Sequence, residues 1–229
     1  MRATVSTRTA RLGGGGLVLL GVLAGALAWP ELPATMDVHW NAAGEADGTA
    51  PRAVGVLLLP AVAAGLLVLF DLLPRIDPLG ENVADFRGYY DAFVLLLVAF
   101  LIGVHGVVLA ANLGVDVPLS PVVLVATGGF LAYVGLLMRQ AEPNWFIGVR
   151  TPWTLSSEEV WRRTHALAGP LFVLAGVALA VAAVAGWLLD AQGAVTTVVV
   201  AIVLVASFVP VGYSYYVYRS LDAPEDAPA

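Results

Sequence analysis

Six apolar stretches, each close to the length of a bilayer crossing, constrain this chain more than any other feature. A transmembrane helix needs about 20 largely apolar residues to cover the hydrocarbon core. The stretches run over 12–29, 53–73, 92–112, 121–138, 168–189 and 194–217. Lipid offers the backbone no hydrogen bonds, so each stretch must satisfy its own N–H and C=O groups as a helix. That holds even for the valine-rich run at 195–205, which would read as a strand in water. Composition agrees, with 59% of residues hydrophobic and 12% charged, against about 25% charged in a soluble domain. The predicted fold class is therefore all-α, a polytopic membrane helix bundle of six transmembrane helices. The expected location is the cell membrane, multi-pass, with membrane lipids as the first partners.

Arginine sets the predicted direction. All eleven basic residues are arginine. Arg2, Arg8 and Arg11 precede the first stretch, and Arg75 and Arg87 lie between the second and third. Arg139, Arg150, Arg162 and Arg163 lie between the fourth and fifth, and Arg219 follows the sixth. Only Arg52 falls in the opposite set of loops. Basic residues concentrate on the cytoplasmic side, so both termini are predicted to be cytoplasmic. A competing reading takes Ala26-Leu27-Ala28 as a signal-peptidase site. The length of the apolar run and the interfacial Trp29 at its end favour a retained span.

Several functions are disfavoured at this level. The chain has no cysteine, which removes disulfides, thiolate metal sites and a cysteine nucleophile. Its net charge is −6 and it has no large basic patch, so direct nucleic-acid binding is not expected. The three histidines, His39, His105 and His165, fall in an outer loop, a span and an inner loop end. That scatter does not suit a zinc site on one helix. Neither H-E-x-x-H, G-x-S-x-G nor a P-loop occurs. The expectation is a protein that is not an enzyme, with no metal and no cofactor.

The outer loop at 30–52 contains His39, Asn41, Gly44, Glu45 and Asp47. Asn41-x-x-Gly44 and Asp47-Gly48 have turn chemistry. These residues fit an external binding surface or a weak cation site of His39, Glu45 and Asp47. A packed turn with solvated acids is the favoured reading, because no metal-ligand spacing is met. In the first inner loop, Pro74 and Pro78 predict an extended exit from the membrane. Asp71 is placed to pair with Arg75 one turn on.

The second inner loop, within 139–167, holds three of the six tryptophans. Ser156 with Glu159 three residues later reads as a capping box, which predicts a short interfacial helix near 157–166. Val160, Trp161 and Thr164 would form one face of it, with Trp161 in the headgroup zone and Arg162 and Arg163 pointing elsewhere. Inside the spans, His105 is either a functional ionisable group or a neutral imidazole bonded to a neighbouring helix carbonyl. Pro60 and Pro210 should kink their spans. Gly103-x-x-Gly106 and Gly128-Gly129 permit close helix approach.

The run Asn144-Trp145-Phe146-Ile147-Gly148-Val149-Arg150-Thr151-Pro152-Trp153-Thr154-Leu155, followed by Glu159-Val160-Trp161 and His165, closely resembles the signature of the SdpI family. The N-terminal part also resembles the uncharacterised membrane domain that often precedes that signature. The matching residues there are Leu32-Pro33, His39-Trp40-Asn41, Gly44, Asp47-Gly48, Leu59-Pro60 and Leu73-Pro74-Arg75 with Asp77-Pro78. A departure is Met36-Asp37-Val38, where that domain usually has a proline shortly before the histidine. Two regions follow from these resemblances, an N-terminal membrane domain at 12–80 and an SdpI-like four-span region at 92–217.

The resemblance implies six helices. In the family's named member it implies immunity to a membrane-active peptide toxin and capture of a soluble transcriptional regulator at the cytoplasmic face. The candidate binding residues are Asn144, Gly148, Arg150, Thr151, Pro152, Trp153, Thr154, Glu159 and Trp161, with His39, Asn41, Gly44 and Asp47 outside and His105 within the membrane. Arg150 is expected to tie the loop to inner helix ends, through carbonyls or Glu142. The alternative function is a small-solute transporter or channel.

Overall fold

The computed structural model describes residues 5–41 and 44–222. Arg2 lies outside the described residues. Among the described residues, six helices are long and apolar enough to cross a membrane. They are α1 (Thr7–Ala28), α2 (Arg52–Ile76), α3 (Arg87–Asn112), α4 (Leu119–Met138), α6 (Glu158–Leu188) and α7 (Gln192–Asp222). A five-residue helix, α5 (Pro152–Ser156), lies in the inner loop before α6. A 3₁₀ turn, Gly80–Ala84, follows α2. Strands β1 (Thr35–Trp40) and β2 (Ala46–Pro51) pair antiparallel in the outer loop. The valine-rich run is helical, as its setting in lipid requires.

The helices form two groups. Helices α1, α2 and α3 pack on one another, and α4, α6 and α7 make up the second group, joined to the first through α3 and α4. The α4–α6 pair is the most extensive helix contact. Its basis is a ladder of glycines. A β-carbon on Gly128 would meet the Gly176 carbonyl and Ala180, and one on Gly135 would meet the Gly169 carbonyl and Val173. Without side chains at these positions the two backbones approach closely, which is the main route to helix affinity in lipid. Gly129, Gly103 and Gly106 face open space instead, so the small residues expected at those three positions make no such contact.

Polar pairs fasten the inner helix ends. The Thr7 hydroxyl donates to Asp91 at 2.7 Å, and Arg87 pairs with the same carboxylate. Asp71 accepts from both Arg11 at 2.6 Å and Arg75 at 2.8 Å, so the predicted helix-end pair is extended to α1. A cluster of Val83, Phe86, Tyr90, Val94, Leu137, Ala141 and Trp161 then joins the two helix groups at this end. At the outer end Leu32, Met36, Val56, Val108 and Leu109 pack beneath the hairpin. The Asn112 amide pairs with both the N–H and the C=O of Asp37 at 2.9 Å, as a neighbouring strand would.

Four sequence expectations need correction. Helix α2 runs through Pro74 to Ile76, and the Phe70 carbonyl that Pro74 cannot pair receives the Tyr90 hydroxyl instead. Asp47-Gly48 lies within β2 and is not a turn, whereas Gly44, with φ +84°, closes the turn against Asn41. There is no separate interfacial helix near 157–166. That stretch is the start of α6, whose 31 residues span about 46 Å at 1.5 Å each, well beyond a hydrocarbon core of about 30 Å. The capping box is also displaced: Thr151 and Thr154 form one for α5, while Ser157, not Ser156, caps α6.

Candidate functional site

The segment between α4 and α6 is mostly irregular, so its backbone groups need partners other than helix bonds. Asn144 supplies four. Its fully buried side chain donates to the carbonyls of Glu142 (2.8 Å) and Ile147 (3.1 Å). Its oxygen accepts from the N–H groups of Phe146 (3.0 Å) and Ile147 (2.6 Å). One amide thus closes the turn that carries Trp145 and Phe146.

His165 organises the next residues. Its Nδ1 lies 2.9 Å from the Trp161 carbonyl, and its Nε2 accepts the Val149 N–H at 3.0 Å. The carbonyl demands a proton on Nδ1, so the ring is the neutral Nδ1–H tautomer. The ring stacks on Trp161, centroids 4.1 Å apart. Gly148, at φ +105°, passes directly over it, and a β-carbon there would collide with Nε2. Positive φ and close approach together account for glycine.

Thr151, Pro152 and Thr154 fix the chain after Arg150. Pro152 occupies the first turn of α5, where no N–H is missed. The Thr154 hydroxyl donates to the Val149 carbonyl at 2.8 Å and accepts from the Thr151 N–H at 2.8 Å. Thr151 also meets Ser214 of α7 at 3.2 Å, and Trp153 packs against Tyr215 with the rings tilted and their centroids 5.0 Å apart. The segment is therefore tied to the last helix as well as to α6.

Three bonds cross to the N-terminal helix group. Asp77 accepts the Trp145 N–H at 3.0 Å, Asn82 donates to the Pro143 carbonyl at 2.7 Å, and the Tyr133 hydroxyl donates to the Tyr89 carbonyl at 3.0 Å. The Trp161 indole donates to the Ala141 carbonyl at 2.7 Å and is 2% exposed. Trp161 is thus a core residue and not a headgroup residue, because its N–H needs a buried acceptor that the loop provides. Trp145, by contrast, is 52% exposed.

Arg150 is exposed and donates to the Trp145 carbonyl at 2.6 Å. The expected tie to a helix end or to Glu142 is replaced by a bond within the loop itself. Glu159 pairs with Arg162 and Arg163 on the outside of α6. Beside these residues lies a polar cavity of about 700 Å³, bordered by Asp85, Glu142, Glu158 and Glu159 with Arg139 and Arg162.

The outer candidates form a separate group. His39 pairs with Asp47 across the hairpin, Asn41 bonds Glu45, and Gly44 forms the turn. Among the described residues, no group of three or more His, Cys, Asp or Glu side chains is placed to hold a metal ion. His105 is apart from both groups, 1% exposed, with Nε2 3.2 Å from the Gly21 carbonyl of α1. That is the helix-carbonyl pairing foreseen as one of its two roles.

The residues 140–214 that build this inner site match the SdpI/YfhL protein family. That stretch of the chain is SdpI-like. Residues 16–64 match a domain of unknown function, DUF1648, covering the second half of α1, the hairpin and the first half of α2. The immunity protein SdpI of Bacillus subtilis (strain 168) is 25% identical over 211 residues, covering 90% of this chain and 94% of that one. No solved structure matches. With six apolar helices among the described residues, the chain is a multi-pass cell membrane protein in contact with lipid. Its inner site includes residues absent from the sequence-based set. His165, Asp77, Asn82 and Ser214 all bond the signature segment. His165 stood within the matched motif, and the polar run after α2 was the available signal for the other inner-loop pair.

Proposed function

We infer that this protein binds a partner from the membrane, conferring resistance to a membrane-active peptide toxin and coupling that event to its cytoplasmic face. The single observation that carries the reading is the segment 140–157. It is rigidly bonded to both helix groups and to α7, yet it presents Trp145 and Arg150 to solvent. Ordered exposed aromatic and arginine side chains on a fixed frame are what a recognition surface needs. The similarity to an immunity protein along 90% of the chain supports the toxin arm. The polar cavity beside Glu142 and Arg162 suits a soluble regulator docking from the cytoplasm.

The test is expression in toxin-sensitive cells. Wild-type protein should raise survival, and Arg150→Ala at equal membrane level should not. Equal survival with and without the protein rejects the toxin arm.

A second reading rests on a different observation. The two helix groups are bonded together at the inner end, while an apolar cleft separates them at the outer end. That asymmetry fits a transporter closed to the cytoplasm. Solute flux in proteoliposomes separates the two readings.

A further inference from the structure

The outer cleft has a chemistry of its own. It encloses about 490 Å³ between α2 and α3 on one side and α4 and α7 on the other, with β1 across its top. Its deep wall is aliphatic, including Leu59, Val104 and Leu124. Its polar side chains, His39, Asn41, Ser120 and Thr196, belong to the hairpin or to the first two turns of α4 and α7. Polarity therefore falls from the outer surface toward the membrane interior. Leu58 and Val200 line the cleft and keep 50% and 52% of their surface open, so the cleft is not sealed by protein on that side. The open side lies on apolar helices long enough to cross a membrane, where lipid has access to it.

We propose that this cleft holds one acyl chain of an outer-leaflet phospholipid, with the lipid head against the hairpin. Size supports a chain over a peptide. One turn of peptide helix, 10–12 Å across and 5.4 Å long, fills roughly 400–600 Å³, so the cleft admits about a turn and no more. An unfolded peptide segment would bring backbone N–H and C=O groups to walls that cannot bond them. A hydrocarbon chain has no such groups and gains from leaving none of the apolar wall uncovered. The polar rim fixes the orientation, head outward and chain toward the midplane. The inference is independent of toxin resistance, since it concerns the opposite end of the molecule.

The experiment places the full chain in nanodiscs of phosphatidylethanolamine and phosphatidylglycerol. A trace of phosphatidylglycerol carries a photoreactive diazirine on its acyl chain, and labelled residues are mapped by mass spectrometry. Leu59, Val104 and Leu124 should label more strongly than Leu174 and Val181, which are exposed at 67% and 62% on α6. Filling the cleft with Val123→Phe and Val199→Phe together should cut labelling of Val104 about tenfold, equivalent to roughly 1.4 kcal/mol. Labelling of Leu174 should stay constant, which shows that the variant is folded and inserted. Labelling that simply follows surface exposure, or a filled variant that labels like wild type, overturns the proposal. So does protection of the cleft by an added hydrophobic peptide but not by unlabelled phosphatidylglycerol, an outcome that assigns the cleft to a peptide.

Discussion

Gly148 rests against the imidazole of His165, leaving no room for a β-carbon over the ring nitrogen that receives the Val149 N–H. Two residues 17 positions apart in sequence thus share one small volume, and each constrains the other.

Gly148→Ala should destabilise the protein for two separable reasons. The positive φ costs a non-glycine residue on the order of 1–3 kcal/mol, and the collision with His165 adds to that. His165→Ala removes the ring but not the backbone strain, so the double variant should recover only part of the loss. Unfolding in detergent measures each variant, and residues in contact should show a coupling of about 0.5–3 kcal/mol. Purely additive effects would mean that ring and loop are independent.

Asn144→Ala should loosen the whole turn. It removes two donated and two accepted bonds at a fully buried position, and each buried group left unpaired costs about 1–3 kcal/mol. Asn144→Asp should also fail, because a carboxylate cannot donate to the Glu142 and Ile147 carbonyls. Faster protease cleavage within 143–150 is the expected readout for both.

Arg150 separates stability from function. Its bond to the Trp145 carbonyl is exposed, and most surface substitutions change stability by only about 0.5 kcal/mol. Arg150→Ala should therefore keep the protein level and unfolding midpoint near wild type while abolishing toxin resistance. Arg150→Lys should not restore resistance, because a point charge lacks the guanidinium fork. Full resistance in both variants would reduce the segment to a membrane-surface support.

The glycine ladder offers an internal control. Gly176→Leu should force α4 and α6 apart, at a cost of about 1–3 kcal/mol or more from overpacking. Gly129→Leu, one residue from Gly128 but facing open space, should be tolerated. The comparison is made by yield of monodisperse protein in detergent.

Orientation can be tested directly. Ten of the eleven arginines lie on one side of the predicted spans. A reporter fused after Arg219 should be active only when it reads cytoplasm. Activity solely on the outside would invert the assignment of inner and outer sites.

Much of this was legible in the sequence because hydrocarbon leaves the backbone few choices. The six helices needed only length and apolarity. The hairpin was not legible. Its strands contain Asp37, Asp47, Gly48 and Pro51, residues poor in strand propensity. They pair because Met36 is buried beneath them and Asn112 braces Asp37 from α3, 75 positions away. The capping of α6 was misread by one residue because Ser156 and Ser157 stand side by side and both suit an N-cap. Within the inner site, Arg150 and Thr151 stood out through their motif. Asp77 reaches Trp145 across 68 residues, a pairing that no local pattern encodes.

The first helix carries a consequence for how the chain is made. Its mean hydropathy, 1.6, is the lowest of the six spans. The faces of Gly14 and Gly21 fit Leu67 and Ile102, and Thr7 bonds Asp91. At a synthesis rate of about 5–20 residues per second, partners roughly 50–84 positions downstream emerge some 3–17 s later. Until then the nascent helix stands in the bilayer as the weakest apolar segment, without the neighbours that complete it. Biogenesis of this protein therefore hinges on retaining an early, marginal segment long enough for its own later sequence to secure it.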